Sequence, residues 1–415
     1  MRILLFEDHT WRRMLPLTAL RSVNELRCGI LPLWKKATLR LNGDVHGISC
    51  RPEVAAAWTI DPPDLPVNVG QNEETLWLNV RVLWDGELLE EARRLDRGGR
   101  IVDGDGSILA AVATLAGDEE DLPGRIEEAT EPSREVEWPQ VSTWYDLLAH
   151  NAAEIERDAL LLGLPASASP PAGITVVGDG WVWVSEGATL GPNTVLDTRK
   201  GPIVVEEGVE VLPGSYLEGP CFVGHGSTVR VGAALYSGCS IGPNCKVGGE
   251  LDHVLLLGYA NKQHEGYLGN AILAPWVNIG AGTHNSDLKN TYGPVQTYVD
   301  GESVNTGMRF LGCCLGEHTK TSIGTVLNTG SVVGVGCNLF GSGFHPTRVE
   351  DFVWGQPGNY KEHRLENMIE TARIVMDRRG VSWTEEYEQL VRAWHESSAP
   401  RRAEFLSRRM HRRSG

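Results

Sequence analysis

The chain has 415 residues, 41% of them hydrophobic, and sets 38 Lys and Arg against 54 Asp and Glu for a formal net charge of −16. That length predicts two or three domains with a sizeable core, and the negative balance excludes nonspecific binding to nucleic acid or an anionic membrane surface, because long-range repulsion opposes both encounters. The 48 Gly and 22 Pro predict a turn-rich architecture of short strands with helix in the minority.

Eight cysteines with no Cys-x-x-Cys pair predict buried thiols in a reducing compartment, not disulfides or a zinc site. Cys221 and Cys239 stand eighteen residues apart, a spacing that would stack them on neighbouring coils as small apolar side chains. No run approaches a membrane span. The first nine residues hold only a four-residue apolar run followed by Glu7 and Asp8, which does not read as a signal peptide. A cytoplasmic protein is expected.

In chain order, residues 3–6 predict a short buried strand, with Glu7, Asp8, His9 and Thr10 in the loop at its carboxyl end, where α/β sheets bind ligands. Arg12, Arg13 and Arg21 surround a rigid Pro turn and are candidates to hold a nucleotide phosphate. Residues 23–36 have helical spacing through Val23, Leu26, Ile30 and Leu33. Residues 76–83 read as a buried strand carrying Asn79 and Arg81, either hydrogen-bonded core residues or nucleotide-site residues. Asp103-Gly104-Asp105-Gly106 reads as a hairpin turn, residues 117–137 as a solvated acidic loop, and residues 144–162 as a helix through Leu147, Leu148, Ala152 and Ile155. The Pro- and Ser-rich stretch 165–172 closes a first domain, residues 1–165.

Arg13-Met14-Leu15-Pro16-Leu17-Thr18 resembles the end of the sugar nucleotidyltransferase signature, in which a Gly-x-Gly-Thr-Arg loop precedes x-Pro-Leu-Thr and a Pro-Lys pair follows. Here His9 and Trp11 stand in place of the glycines, Arg12 in place of the Thr, and Ser22-Val23 in place of Pro-Lys. The longer match, reaching Glu25-Leu26-Arg27-Cys28-Gly29-Ile30, resembles a divergent bacterial group similar to the bifunctional UDP-N-acetylglucosamine pyrophosphorylase and glucosamine-1-phosphate acetyltransferase. The resemblance implies an α/β nucleotidyltransferase-like domain, with Mg²⁺ required if that domain is active.

From residue 174 the period becomes six. Val205, Val211, Leu217, Val223, Val229, Leu235, Ile241 and Val247 are aliphatic in eight tries out of eight, a run that chance would give with odds on the order of one in tens of thousands. Gly208, Gly214, Gly226, Gly232 and Gly238 follow three residues later, where the chain must turn. Six residues per face and three faces per coil describe a parallel β-helix over residues 174–355. The pattern loosens across 252–269, and residues 287–304 read as an insertion, which such a stack tolerates because each coil contacts only its neighbours. Residues 362–379 form an amphipathic helix able to cap the open end of the coils, a second helix is expected over 384–396, and 400–415 is a basic tail, a frayed or partner-docked end of the helical cap. These make a third segment, 356–415.

The loosened region gathers the chemistry. Lys262, His264, Tyr267, Asn270 and Asn278 stand beside glycine-opened backbone at Gly280 and Gly282, groups suited to proton transfer and to phosphate or carbonyl binding. Acyl transfer to an amine needs a base, which His264 can supply, and an oxyanion donor, which a glycine-flanked amide can supply. Lys289, Arg309, His318 and Lys320 are further candidates to anchor a sugar phosphate or the phosphates of CoA. His284, His318 and His345 are not spaced to meet on adjacent coils, so no metal is expected.

Lys262 to Gly269 and Asn278-Ile279-Gly280-Ala281-Gly282-Thr283 also resemble the acetyltransferase half of that family, where a His precedes x-x-Tyr-Leu-Gly-Asp and Asn-Ile-Gly-Ala-Gly-Thr follows. The resemblance implies that His264 is the catalytic base, Tyr267 a sugar-phosphate contact and Asn278 a second polar contact. Asn270 replaces the family's Asp, and Asp287 falls where an Asn would orient substrate or base. It further implies that the β-helix is left-handed and that the protein is a homotrimer with acetyl-CoA bound between subunits.

Three functions remain open at this point. The first is an acetyl-CoA-dependent N-acetyltransferase acting on an amino-sugar 1-phosphate, glucosamine-1-phosphate foremost, in nucleotide-sugar biosynthesis. The second is an active sugar-1-phosphate uridylyl- or thymidylyltransferase with a regulatory β-helix. The third is a nucleotide-sugar-binding scaffold without turnover. The sequence leaves open the acceptor sugar, the acyl chain, the partner that orients His264 and the role of the basic tail.

Overall fold

In the computed structural model, residues 1–60, 62–68, 73–115, 121–165 and 173–410 are described. The apolar run near the start forms the strand Arg2–Phe6, flanked in parallel by Gly47–Ser49 and Thr75–Asn79. The sheet continues through Ile108–Ala113, Gly99–Val102 and Glu131–Glu135. Thr75–Asn79 and Gly99–Val102 both run antiparallel to Ile108–Ala113, while the edge strand Glu131–Glu135 runs parallel to its neighbour. The Asp103–Gly106 turn joins two of these strands as a hairpin, with Gly106 at φ +81°.

Three expectations for this domain are corrected. Residues 23–36 are not one helix: a 3₁₀ turn, Val23–Glu25, opens on a Ser22/Glu25 capping box, and a separate helix, Leu33–Arg40, begins after Pro32. Pro32 lacks the amide a continuous helix needs there, and Gly29 sits at φ +81° against the Glu154 backbone, where a side chain would collide. Within the acidic stretch 117–137, Asp121 caps a helix, Leu122–Glu128, whose Leu122 and Ile126 are buried against the sheet. Residues 117–120 of that stretch, and 166–172 of the expected linker, lie outside the described residues. The strand expected to span 76–83 ends at Asn79, leaving Arg81 in the following turn.

The second half is a parallel β-solenoid. Its strands stack into one sheet of nine strands and two others of six and five, and a further sheet of four closes the far end. The hexad residues 205–247 all point inward, none more than 2% exposed. Cys221 lies in register opposite Cys239, and all eight cysteines are free and buried. The glycines at 208, 214, 226, 232 and 238 have φ between +66° and +79°, the left-handed conformation each corner requires. Because each inward residue packs against identical positions above and below, Leu235→Ala should cost about 2–5 kcal/mol of stability, readable as a lower denaturant midpoint at unchanged slope.

The insertion at 287–304 is the antiparallel hairpin Gln296–Val299 with Glu302–Asn305. The solenoid ends in the helices Leu365–Asp377 and Glu385–Met410. The second runs past the expected end at 396 and through Pro400. The described part of the basic tail is therefore helical, with Arg402 buried and bonded to Glu362 of the same chain. Residues 411–415 lie outside the described residues. Among the described residues, no helix is long and apolar enough to cross a membrane.

The two halves share one buried seam. Asn151 of the helix Asp146–Leu161 donates to Gly238 O at 2.9 Å, and Ser240 donates to Gly29 O at 2.9 Å. Arg21 reaches Glu317 of the solenoid at 2.7 Å, and Tyr387 of the last helix donates to the same carboxylate at 2.8 Å. At the far end His345 is buried with Nδ1 2.9 Å from the Tyr360 hydroxyl, and burial lowers its pKa from 6.5 to about 4. Its unfolded state binds the proton first. The His345 contribution to stability is therefore full above pH 6.5 and falls toward pH 4, by up to about 3 kcal/mol. Denaturation followed across that window should show a shallower acid loss in His345→Gln.

Candidate functional site

The solenoid's interruption begins with a lysine in a core slot. Lys262 pairs in register with Val247, fifteen residues on where regular coils take eighteen. It is 1% exposed, and burial lowers its pKa to about 8. Its ammonium donates to Gly248 O at 2.9 Å and to His264 O at 2.5 Å. Lys262 thus ties down the turn that presents His264, so its charge is spent on backbone and not displayed to a substrate. The His264 side chain itself is exposed.

Beyond the turn, Asp287 gathers two donors on one oxygen. The Tyr267 hydroxyl lies 2.9 Å and Asn270 Nδ2 2.8 Å from Asp287 Oδ2. Burial, then the neighbouring Asp287 carboxylate, holds the Tyr267 phenol well above its usual range, so it stays a donor. A side chain at Gly269 would collide with both the Tyr267 hydroxyl and Asp287. The sequence pattern did not disclose two supports: His284 Nδ1 accepts from Tyr267 N at 3.0 Å, and the buried Asn285 side chain bonds both the amide and the carbonyl of Gly269, each at 2.8 Å. Asn285 supplies the strand bonding that the loosened coil lacks, a role visible only once coils are aligned in space.

The remaining candidates separate from this cluster. The amide of Gly280 donates to Thr321 Oγ1 at 3.0 Å and that of Gly282 to Glu265 O at 2.8 Å, so neither is a free oxyanion donor, and a Cβ on Gly280 would strike the Ser322 backbone of the next coil. Asn278 accepts from Asn261 at 3.4 Å, and Asn261 accepts from Arg379 at 2.7 Å, beneath the C-terminal helices. Lys320 stands in register with Asn278, donates to His318 O at 3.2 Å, and is lowered by burial to about 8. His318 is buried with Nε2 2.9 Å from the Tyr387 hydroxyl, its ring stacked on Trp276, and burial keeps it neutral. These three line the seam with the cap, not a solvent-facing pocket. Lys289 donates to Pro294 O at 3.1 Å within the insertion, and Arg309 is exposed beside it.

A second concavity of about 300 Å³ lies at the carboxyl ends of strands Arg2–Phe6 and Gly47–Ser49, lined by Asp8, Trp11, Arg12, Arg51 and Asp121 among others. Arg12 and Arg51 lie over the Trp11 ring at 4.7 and 3.8 Å. Of the five nucleotide-site candidates only Arg12 lines this cavity. Arg13 pairs with Asp105 at 3.1 Å, Arg21 is buried in the seam, and Asn79 and Arg81 are buried supports of Asp8 at 2.6 and 3.0 Å. Arg51, missed in the sequence, follows a strand of only three residues, too short to betray itself by alternation.

Two of this cavity's carboxylates are already engaged by the protein. Glu7 takes Arg51 on one oxygen and Ser22 and Val23 on the other, while Asp8 takes Thr10 on one and Asn79 and Arg81 on the other. Among the described residues no group of three or more His, Cys, Asp or Glu is placed to hold a metal ion.

Residues 3–164 match the family model described as sugar nucleotidyl transferase. The chain is 29% identical over 147 residues to the bifunctional sugar-1-phosphate nucleotidylyltransferase/acetyltransferase of Sulfurisphaera tokodaii, covering 34% of this chain and 36% of that protein. It is 37% identical over 116 residues to the bifunctional protein GlmU of Paracoccus denitrificans, covering 27% of this chain and 26% of that protein. The chain thus spans well under half the length of these relatives. Among solved structures, the Arabidopsis UDP-N-acetylglucosamine acyltransferase aligns over 48% of this chain and 76% of that one, at 14% identity and a TM-score of 0.25. Residues 3–164 thus match the sugar nucleotidyl transferase model, and parts of the chain are similar to bifunctional relatives of the GlmU type.

Proposed function

We propose that the solenoid transfers an acetyl group from acetyl-CoA to the amine of an amino-sugar 1-phosphate, glucosamine-1-phosphate foremost, with His264 as general base. The observation that carries this reading is an exposed imidazole on a turn pinned from inside by Lys262, three residues before Tyr267, whose hydroxyl joins Asn270 on Asp287. In the reaction the imidazole takes a proton from the amine, the nitrogen attacks the thioester carbon, the C–S bond breaks, and the thiolate leaves with the proton returned by the imidazolium. Tyr267 and Asn270, oriented by Asp287, hold the acceptor, and the relatives' printed activities agree with this chemistry. A homotrimer with acetyl-CoA at the subunit boundary is part of the same reading, favoured by the apolar corners Val231 and Ile323, which are 66% and 80% exposed. Purified protein given acetyl-CoA and glucosamine-1-phosphate should release free CoA in step with N-acetylated product; no release with any amino-sugar phosphate would refute the reading.

For the N-terminal domain a second reading is favoured by the saturated Glu7 and Asp8 carboxylates. The cavity beside Trp11 holds a sugar phosphate or nucleotide sugar through Arg12 and Arg51 without turning it over. Pyrophosphate release from UTP or dTTP with a sugar 1-phosphate would contradict this; binding of a nucleotide sugar without release would bear it out.

A further inference from the structure

One corner of the solenoid carries a groove that the reaction above does not account for. Register aligns Leu217, Leu235 and Leu251 on successive coils and Asp252 with Gly269 on the next. The residues that follow these leucines, Glu218, Tyr236 and Asp252, therefore form a column leading to Gly269 and Asn270. Four coils at about 4.8 Å make a track roughly 14 Å long, opening on a concavity of about 550 Å³. That is longer than one sugar ring needs.

The track's chemistry is that of a carbohydrate surface. Tyr236, half-buried and edge-on to Tyr216, and Phe310, 46% exposed, line the groove with aromatic rings. Between them His253 is held with Nδ1 3.0 Å from Asp252 Oδ1, the two side chains 44% and 37% exposed. The backbone of His253 is at φ +49°, a conformation uncommon for a side-chain-bearing residue. Its ring fills the space above Gly238, where a Cβ would lie 2.6 Å from it. Lys200 closes the far end but is already paired with Glu218 at 3.0 Å. With Glu218 and Asp252 both acidic, the groove has no surplus positive charge for a phosphate, so its occupant is an uncharged or cationic sugar. At the near end Asn270 belongs to both the groove and the Asp287 cluster.

We infer that this corner is a second sugar subsite, continuous with the acceptor site, and that the preferred acceptor carries a further uncharged or amino-sugar ring stacked on Tyr236 and Phe310. The inference rests on the solenoid reading for which ring reacts, but its test needs no turnover. Titration calorimetry of the full chain with glucosamine and with its β-1,4-linked dimer should give a dissociation constant for the dimer at least tenfold lower. Tyr236→Ala, half-buried, and Phe310→Ala, exposed, should each remove most of that advantage. Equal affinity for monomer and dimer, or a dimer advantage that survives both aromatic replacements, would overturn the subsite. Dimer binding without CoA release from any amino sugar leaves the subsite standing and removes the acetyl-transfer reading; CoA release with no dimer preference does the reverse.

Discussion

Replacing His264 with alanine should lower kcat for acetyl transfer by roughly 10²–10⁴-fold, the span that a positioned general base contributes, while leaving the KM for acetyl-CoA and the thermal midpoint near their wild-type values. The fold is indifferent because the side chain is exposed and the turn is held through the His264 carbonyl by Lys262, a contact that alanine keeps. The contrasting variant is Lys262→Met, which fills the same core slot with an apolar chain but releases the turn. It should lose activity through misplacement of an intact imidazole, with an accompanying change in the acceptor KM. Stopped assays on both variants, read as kcat and KM separately, check the assignment of base to one residue and positioning to the other.

Replacing Arg21 with alanine should destabilise the whole chain by about 3–5 kcal/mol, because it leaves buried carboxylates without their cation. Arg21 lies 2.7 Å from Glu317 and 3.2 Å from Glu25, all three nearly fully buried. Burial raises Glu25 from 4.5 to about 8 and raises Glu317 as well, with Arg21 opposing both. A carboxyl group with a raised pKa contributes stability that is fully present below the unfolded value of 4.5 and is lost as pH rises through the folded one. Without Arg21 the upward shifts grow, so the loss should be larger at pH 8 than at pH 5. Chemical denaturation of wild type and Arg21→Ala at the two pH values reads this directly. An equal deficit at both would mean that the carboxylates are not what Arg21 serves.

The solenoid was legible because its period is a covalent fact: every sixth residue meets the core, so Val205 to Val247 announce the coils without any spatial information. The same rule hid Lys262. A coil three residues short moves a lysine into a core slot, and a linear reading takes such a lysine for a substrate anchor. His264, Tyr267 and Asp287 fell within one segment, and the structure keeps them on neighbouring coils. Asn278, His318 and Lys320, equally polar in sequence, sit under the C-terminal helices, whose docking no local pattern specifies. Arg21 shows the limit most plainly. Its Pro-flanked loop matched a phosphate-binding expectation, yet its partner Glu317 lies 296 residues away. Arg51, which lines the N-terminal cavity together with Arg12, follows a strand too brief to be recognised.

Acyl transfer is assigned to the place where the hexad repeat breaks. A structure of the chain with CoA and an amino-sugar 1-phosphate bound tests it most directly. The CoA sulfur and the sugar amine should both lie beside the His264 imidazole, with the sugar contacting Tyr267 and Asn270. CoA seated elsewhere on the solenoid, or an amine out of reach of His264, would contradict it.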